Sequence, residues 1–398
     1  MKVHLTDLPA IAGGRPMFEA RLPIVSPEGL PGTEFLRDIE AILASRQLTN
    51  GSRVREFEEA AAAFLRVPHC VAVASCTAGL MLTLRALDLR DDVILPSFTF
   101  HVTAHAVVWN NLKPVFADCE PDTFCLSPEA VRAQLTPRTA AVLAVHMYGH
   151  PADIPALEAI ASERGIPLIF DAAHAFGSQF NREWIGSFGT AEIFSFSPTK
   201  LLVAGEGGLV ATRDAALARR LRAARNYGDP GTYDPDLVGL NARMSEFHAA
   251  LARRGLDGIG ERVERRNQIR LLYERHLKSL SGLSFQRIRP GCRSTCKDFS
   301  ILVDSAVFGA PRDWLFDALE RENIEVKRYF WPPVHRQTIY RDLWDGKPLP
   351  VTDSVADCVL SLPVYSSLWH ADIDKVCDAI TRAQEFVSRN GAVTEKQV

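Results

Sequence analysis

Between residues 71 and 196 the chain alternates short apolar runs with longer stretches whose apolar residues recur at helical spacing. Runs at 71–74, 91–100 (a strand running into a turn), 113–118, 140–145, 167–171 and from 193 to the proline at 198 predict buried strands. Helices are expected between them, one ending near Leu87, others over 101–109, from 127 onward and over 153–164. Ser127-Pro128-Glu129 marks one helix start, with proline where its missing N–H is harmless. Strands alternating with helices imply an α/β fold with a mostly parallel sheet covered on both faces. Upstream, residues 1–25 are rich in Gly and Pro and read as an extended arm; 27–32 is a turn cluster, and 34–44 and 55–65 have helical spacing. Downstream, 244–280 is helical, with breaks near Gly255 and at Gly258-Ile259-Gly260, and its mixed charges over 261–266 read as a solvated face. A strand over 298–303, a helix over 311–322, a segment at 361–365 and a helix over 371–387 make a smaller α+β unit, and the tail 389–398 is polar. The expected organisation is an arm (1–25), a large domain (26–255) and a small C-terminal domain (256–398).

Sheets of this kind bind ligands beyond the carboxyl ends of their strands. Thr77, Phe100, Asp171, Ser195 and Lys200 all fall at such ends. A lone loop lysine is ordinarily a solvated surface group. At the end of a buried strand it can instead be an imine-forming amine, kept reactive by burial and neighbouring positive charge. Asp171 ends the preceding apolar strand, and the pair has the chemistry of a pyridoxal phosphate (PLP) site. There a carboxylate holds the ring nitrogen's proton while the lysine moves the substrate's proton. Ser75-Cys76-Thr77-Ala78-Gly79 joins a strand to a helix. Unpaired amides and the helix dipole attract anions there, although an ordinary serine cap reads the same way. His101 and His105 stand at i and i+4 without a further ligand, so no metal is expected.

Bulk properties narrow the class. With 398 residues, 47% hydrophobic and 23% charged, the chain is globular with a large core. A net charge of −3 argues against nucleic-acid binding. No run has the length of a membrane span and the N-terminus has no signal-peptide core, so a soluble, cytoplasmic protein is expected. Eight scattered cysteines fit a reducing compartment, and Cys292 and Cys296 lack partners for a zinc site.

The segments Asp171 to His174, Ser195 to Lys200 and Glu206-Gly207-Gly208 resemble the DegT/DnrJ/EryC1/StrS family of PLP-dependent nucleotide-sugar aminotransferases. The resemblance implies a fold-type I transferase, with a seven-stranded, mostly parallel sheet in the large domain. It assigns Lys200 and Asp171 the catalytic roles. Thr77 and Ala78 become phosphate contacts, with Cys76 where the family usually has glycine. Phe100 would stack on the cofactor ring, His174 would lie near its phenolic oxygen, and Ser195 would bind its phosphate. Asn241, in Gly239-Leu240-Asn241-Ala242-Arg243-Met244, would reach the phosphate of a neighbouring subunit, implying a homodimer with shared sites. Lys327, Arg328, Tyr329 and His335 would line the mouth, where a nucleotide diphosphate or a carboxylate donor could bind. The same residues fit a partly exposed strand end. The implied reaction is amination of a nucleotide-linked sugar ketone, with L-glutamate as donor and a dTDP-linked 4-keto-6-deoxyhexose as acceptor. A 3-keto sugar or a cyclitol is the alternative acceptor. Dehydratase relatives replace the lysine with histidine, a non-catalytic sensor need not keep Lys200 and Asp171, and nicotinamide enzymes need a Gly-x-Gly-x-x-Gly turn that 75–80 lacks.

Overall fold

The computed structural model describes residues 8–28, 32–391 and 393. The start of the expected arm, the middle of the 27–32 turn and most of the polar tail lie outside them. The strands of the large sheet are β1 (His69–Val73), β2 (Asp92–Pro96), β3 (Lys113–Ala117), β4 (Thr139–Val145) and β5 (Leu168–Asp171). After a short ribbon, β6 (Gln179–Phe180) and β7 (Glu183–Trp184), follow β8 (Ala191–Ser195) and β9 (Gly208–Thr212). The order across the sheet is β3-β2-β4-β5-β8-β9-β1, with β9 antiparallel to both neighbours and the other pairings parallel. β2, β5, β8 and β9 are buried along their whole length, as continuous apolar runs require in a sheet with helices on both faces.

The helices between the strands start where their sequences provide caps. α1 (Thr33–Ser45) and α2 (Ser52–Leu65) precede the sheet; α3 (Cys76–Ala86), α4 (Val102–Trp109), α5 (Pro128–Gln134) and α6 (Ile154–Arg164) lie within it, and α7 (Ala215–Ala224) follows. Ser75, Ser127, Asp153 and Asp214 each accept hydrogen bonds from first-turn amides of α3, α5, α6 and α7. α3 lies close on the sheet because Gly79 has no side chain: a Cβ there would come within 2.9 Å of Ile193.

The helical run over 244–280 is two helices, α8 (Glu246–Gly255) and α9 (Ile259–Leu277), separated where Gly258 adopts φ +74°. α9 joins two cores. Ile259 and Val263 pack with the large domain, and Ile269, Tyr273 and Leu277 with the small one. The 261–266 segment is not solvated throughout: Arg266 is fully buried, 3.7 Å from Glu28 and 3.4 Å from the Lys297 carbonyl. A buried guanidinium needs such partners. The small domain sets β10 (Leu283–Phe285), β12 (Phe299–Val303) and β13 (Val359–Leu362) in an antiparallel sheet, while β11 (Cys292–Arg293) pairs with β6. α10 (Ser305–Phe308), α11 (Arg312–Arg321), α12 (Pro350–Cys358) and α13 (His370–Asn390) complete it. The described part of the N-terminal arm is packed against this unit: Phe18 and Leu22 are buried in its core, and Leu22 bridges to Ile324. No helix among the described residues is long and apolar enough to cross a membrane.

Candidate active site

A cavity of about 350 Å³ opens at the carboxyl ends of the strands, roofed by the small domain. Its floor carries Asp171 at the end of β5, Ser195 at the end of β8 and Lys200 beyond it. One wall is the start of α3 (Ser75, Cys76 and Thr77), and another is the turn after β2 (Thr99 and Phe100). Residues 29 apart in sequence, Lys200 and Asp171, thus meet because β5 and β8 are adjacent parallel strands.

Asp171 is 6% exposed. Burial pushes its carboxyl above the usual range, opposed by hydrogen bonds to its charged form and by Lys200. Oδ2 accepts from the Thr103 hydroxyl at 2.8 Å, and Oδ1 from the Ala173 N–H at 3.1 Å. Lys200 is shifted the other way, down to about 8, first by burial and then by the charge of Lys297. The carboxylates that could hold its proton are engaged elsewhere, Asp298 with Lys297 Nζ at 2.6 Å and Asp171 with Thr103. The result is an amine that is neutral above about pH 8. His174 is pushed well below its ordinary value by burial, Lys200 and Lys297, and its buried Nδ1 has no hydrogen-bond partner within the protein. A neutral ring with an orphaned nitrogen fits a ligand group beside it.

At the start of α3, Ser75 Oγ accepts from the Ala78 N–H at 3.1 Å, and the Gly79 N–H bonds the Ser75 carbonyl at 3.0 Å. The amides of Cys76 and Thr77 precede these bonds, so the helix start keeps donors for an anion. Thr77 lines the cavity and Ala78 does not; the Ala78 amide is taken by the Ser75 cap. The Cys76 thiol turns inward, 4.0 Å from Asp171 Oδ1 and 3.7 Å from the Ile193 carbonyl, and burial raises its pKa. Gly208 makes this end possible: a Cβ there would stand 2.5 Å from the Ser75 carbonyl carbon. That close approach explains a glycine at the start of β9. Thr77, Asp171, Ser195 and Lys200 line one cavity, with an imine-forming amine, a carboxylate and hydroxyls beside a helix start, a donor set that fits pyridoxal phosphate.

A second chamber of about 430 Å³ shares Thr99, Phe100, Tyr329 and Phe330 with the first and adds His101, Lys327, Arg328 and Trp331. Phe100 stands on the rim between the chambers, 47% exposed and 6.1 Å from the Phe330 ring. Lys327 Nζ lies 2.9 Å from Glu325, and Arg328 Nε 2.6 Å from Asp313, so both cations are partly neutralised. The 324–335 segment is no strand: Lys327 makes one bridge to Ser361, and a 3₁₀ turn follows at Val334–Arg336.

His335 is corrected. It is 1% exposed, its Nδ1 lies 2.7 Å from Ser97 Oγ and its Nε2 3.2 Å from Asp353, and it lines neither chamber. It ties the turn after β2 to α12. Asn241 also lies outside its own chain's cavity, exposed beside the Asn226 bridge. The sequence reading missed Lys297, Asp298, Thr99, Thr103 and Phe330. Lys297 and Asp298 stand side by side at the entry to the apolar β12, where a Lys-Asp step in the sequence reads as solvated loop; their ion pair is buried.

The comparisons agree with this geometry. The model of the DegT/DnrJ/EryC1/StrS aminotransferase family matches residues 31–381. A UDP-N-acetyl-3-dehydro-alpha-D-glucosamine 3-aminotransferase of Acidithiobacillus ferrooxidans is 36% identical, over 88% of this chain and 93% of its own. The dTDP-4-amino-4,6-dideoxy-D-glucose transaminase of Escherichia coli is 33% identical, over 88% and 96%. A crystal structure of DesI in the presence of its TDP-sugar product superposes with a TM-score of 0.90 at 38% identity, covering 97% of this chain and 99% of that one.

Proposed function

This chain belongs to the DegT/DnrJ/EryC1/StrS aminotransferase family, and on that premise we propose that it aminates the 4-keto group of a dTDP-linked 6-deoxyhexose, with L-glutamate as donor. That it is a nucleotide-sugar aminotransferase follows from the membership itself. The observation that most supports the chemistry is a neutral-prone Lys200 facing a buried, hydrogen-bonded Asp171 across one cavity. Lys200 would hold pyridoxal phosphate by its aldehyde carbon and Asp171 would pair with its ring N–H. The Thr77 and Ser195 hydroxyls and the free α3 amides would receive its phosphate. Bound there, the cofactor supplies an electron sink that acidifies the donor's Cα–H. The chain's own share is proton handling. Lys200 Nζ, released when the donor's amine takes its place, would take that proton in the first half-reaction and in the second deliver a proton to the carbon that becomes the new C–NH₂ centre, the ketone oxygen leaving as water. His174 stays neutral and offers its Nδ1 without adding charge. The small domain's Tyr329 and Phe330 close the cavity against water.

In the outer chamber, Lys327 and Arg328 would meet the diphosphate, and Phe100, Tyr329 and Trp331 give flat surfaces for base or sugar. The dTDP carrier is supported by the TDP-sugar named with DesI, and the C4 choice by the 4-amino sugar named for the E. coli relative. The 3-aminotransferase of A. ferrooxidans favours C3 as the second reading. Asn241 is proposed to serve the cavity of a second copy in a homodimer, and the unpaired cysteines fit a cytoplasmic setting. Incubation with glutamate and either dTDP-4-keto-6-deoxyglucose or a 3-keto isomer, with NMR of the product, tests the reading. A 4-amino product from the first sugar is expected. Amination of the 3-keto sugar alone would overturn the C4 choice.

A further inference from the structure

The carboxylate of Asp171 is held by a threonine at the start of a helix. Thr103, in the first turn of α4 and fully buried, has no helical carbonyl one turn back to bond, and its hydroxyl reaches across to Asp171 Oδ2 at 2.8 Å. A carboxylate only accepts, so the single Thr103 proton is committed there. The 3.0 Å contact between Thr103 and Thr99 hydroxyls is therefore donated by Thr99. The proton order runs Thr99 to Thr103 to Asp171, and Thr99 lines the cavity next to Phe100.

We propose that Thr103 is a positioning residue that keeps Asp171 ionised and fixed in orientation, in register with the Phe100 turn. The inference rests on the reading of Asp171 given above. Ala173 holds only Oδ1, so without Thr103 the other oxygen is left buried and unpaired, free to turn or to take a proton. The other groups that face Asp171 are Lys200 beyond β8, His146 at the end of β4 and the Cys76 thiol 4.0 Å from Oδ1. None donates to Oδ2 within hydrogen-bond distance.

Thr103→Val, Thr103→Ser and Asp171→Asn would be compared with the parent. The readouts are the pyridoxal phosphate Kd of the cofactor-free protein from pH 5 to 8, kcat and KM separately, and thermal stability. Thr103→Val is expected to raise Kd about tenfold and move its acid-side weakening up by about one pH unit. It should also lower kcat with both KM values within about twofold, and Thr103→Ser should restore all three. A Thr103→Val protein that matches the parent while Asp171→Asn is impaired overturns the relay alone, as does a serine variant as impaired as the valine. An Asp171→Asn protein that binds and titrates like the parent overturns the reading of Asp171 and the relay with it.

Discussion

At the scale of single residues, Lys200 owes its properties to where β8 ends. Burial and Lys297 bring its pKa from the ordinary 10.5 to about 8, so the amine loses its proton as pH rises through that point. The rate at which cofactor-free protein takes up pyridoxal phosphate should rise with pH to a plateau above about 8. Lys297→Met removes a positive neighbour and frees Asp298, and both changes favour a charged Lys200. The midpoint should therefore move upward, and stopped-flow absorbance would measure it. A fixed or lowered midpoint would refute the role given to Lys297. Asp171 was legible because it ends an apolar strand, and Lys200, by itself readable as a solvated loop lysine, became so only through its pairing with Asp171 and the family resemblance. Lys297 and Asp298 were not, since a neighbouring Lys-Asp step reads as solvated loop until its 7% exposure is known. His335 misled for the opposite reason: a histidine among aromatics and cations looks like a binding residue, while its ring nitrogens face Ser97 and Asp353 inside the fold.

At the scale of elements, strands with continuous apolar runs and helices with Ser or Asp caps were readable; β5 ended at Asp171 as expected, while β2 stopped at Pro96 and left Phe100 on the following turn. β9 and α7 were passed over. β9 opens on Gly208, directly after Gly207, residues that weaken strand propensity, and its pairing with β1 and β8 is set by tertiary contact. Gly208 serves the site. Gly208→Ala would put a methyl 2.5 Å from the Ser75 backbone, where no flexible side chain can yield. Overpacking of this kind costs about 1–3 kcal/mol. Calorimetry should show a lowered Tm, and cofactor titration a weaker Kd, because the strained turn is the phosphate end. An unchanged Kd would separate Gly208 from the site.

At the scale of the whole molecule, two cores meet along α9, and the cavity lies between them, with its floor from the large domain and Lys297, Tyr329 and Phe330 from the small one. The α/β alternation and the α+β C-terminal unit were legible from periodicity. The packing of the N-terminal arm on the small domain was not, because Phe18 and Leu22 sit in a Gly- and Pro-rich stretch whose apolar residues follow no helix or strand period. One proposed element of the site lies outside a single chain. If Asn241 serves a second copy, Asn241→Ala should leave the dimer intact on size exclusion with light scattering yet weaken cofactor binding about tenfold. A fully active monomer would refute it.

The central claim is tested most directly by borohydride reduction of the cofactor-loaded protein, followed by peptide mass spectrometry. The pyridoxyl phosphate mass is predicted on the peptide containing Lys200 and nowhere else, and Lys200→Ala should fold, take no label and lose turnover. A label on another lysine, or transamination retained by Lys200→Ala, would contradict the account.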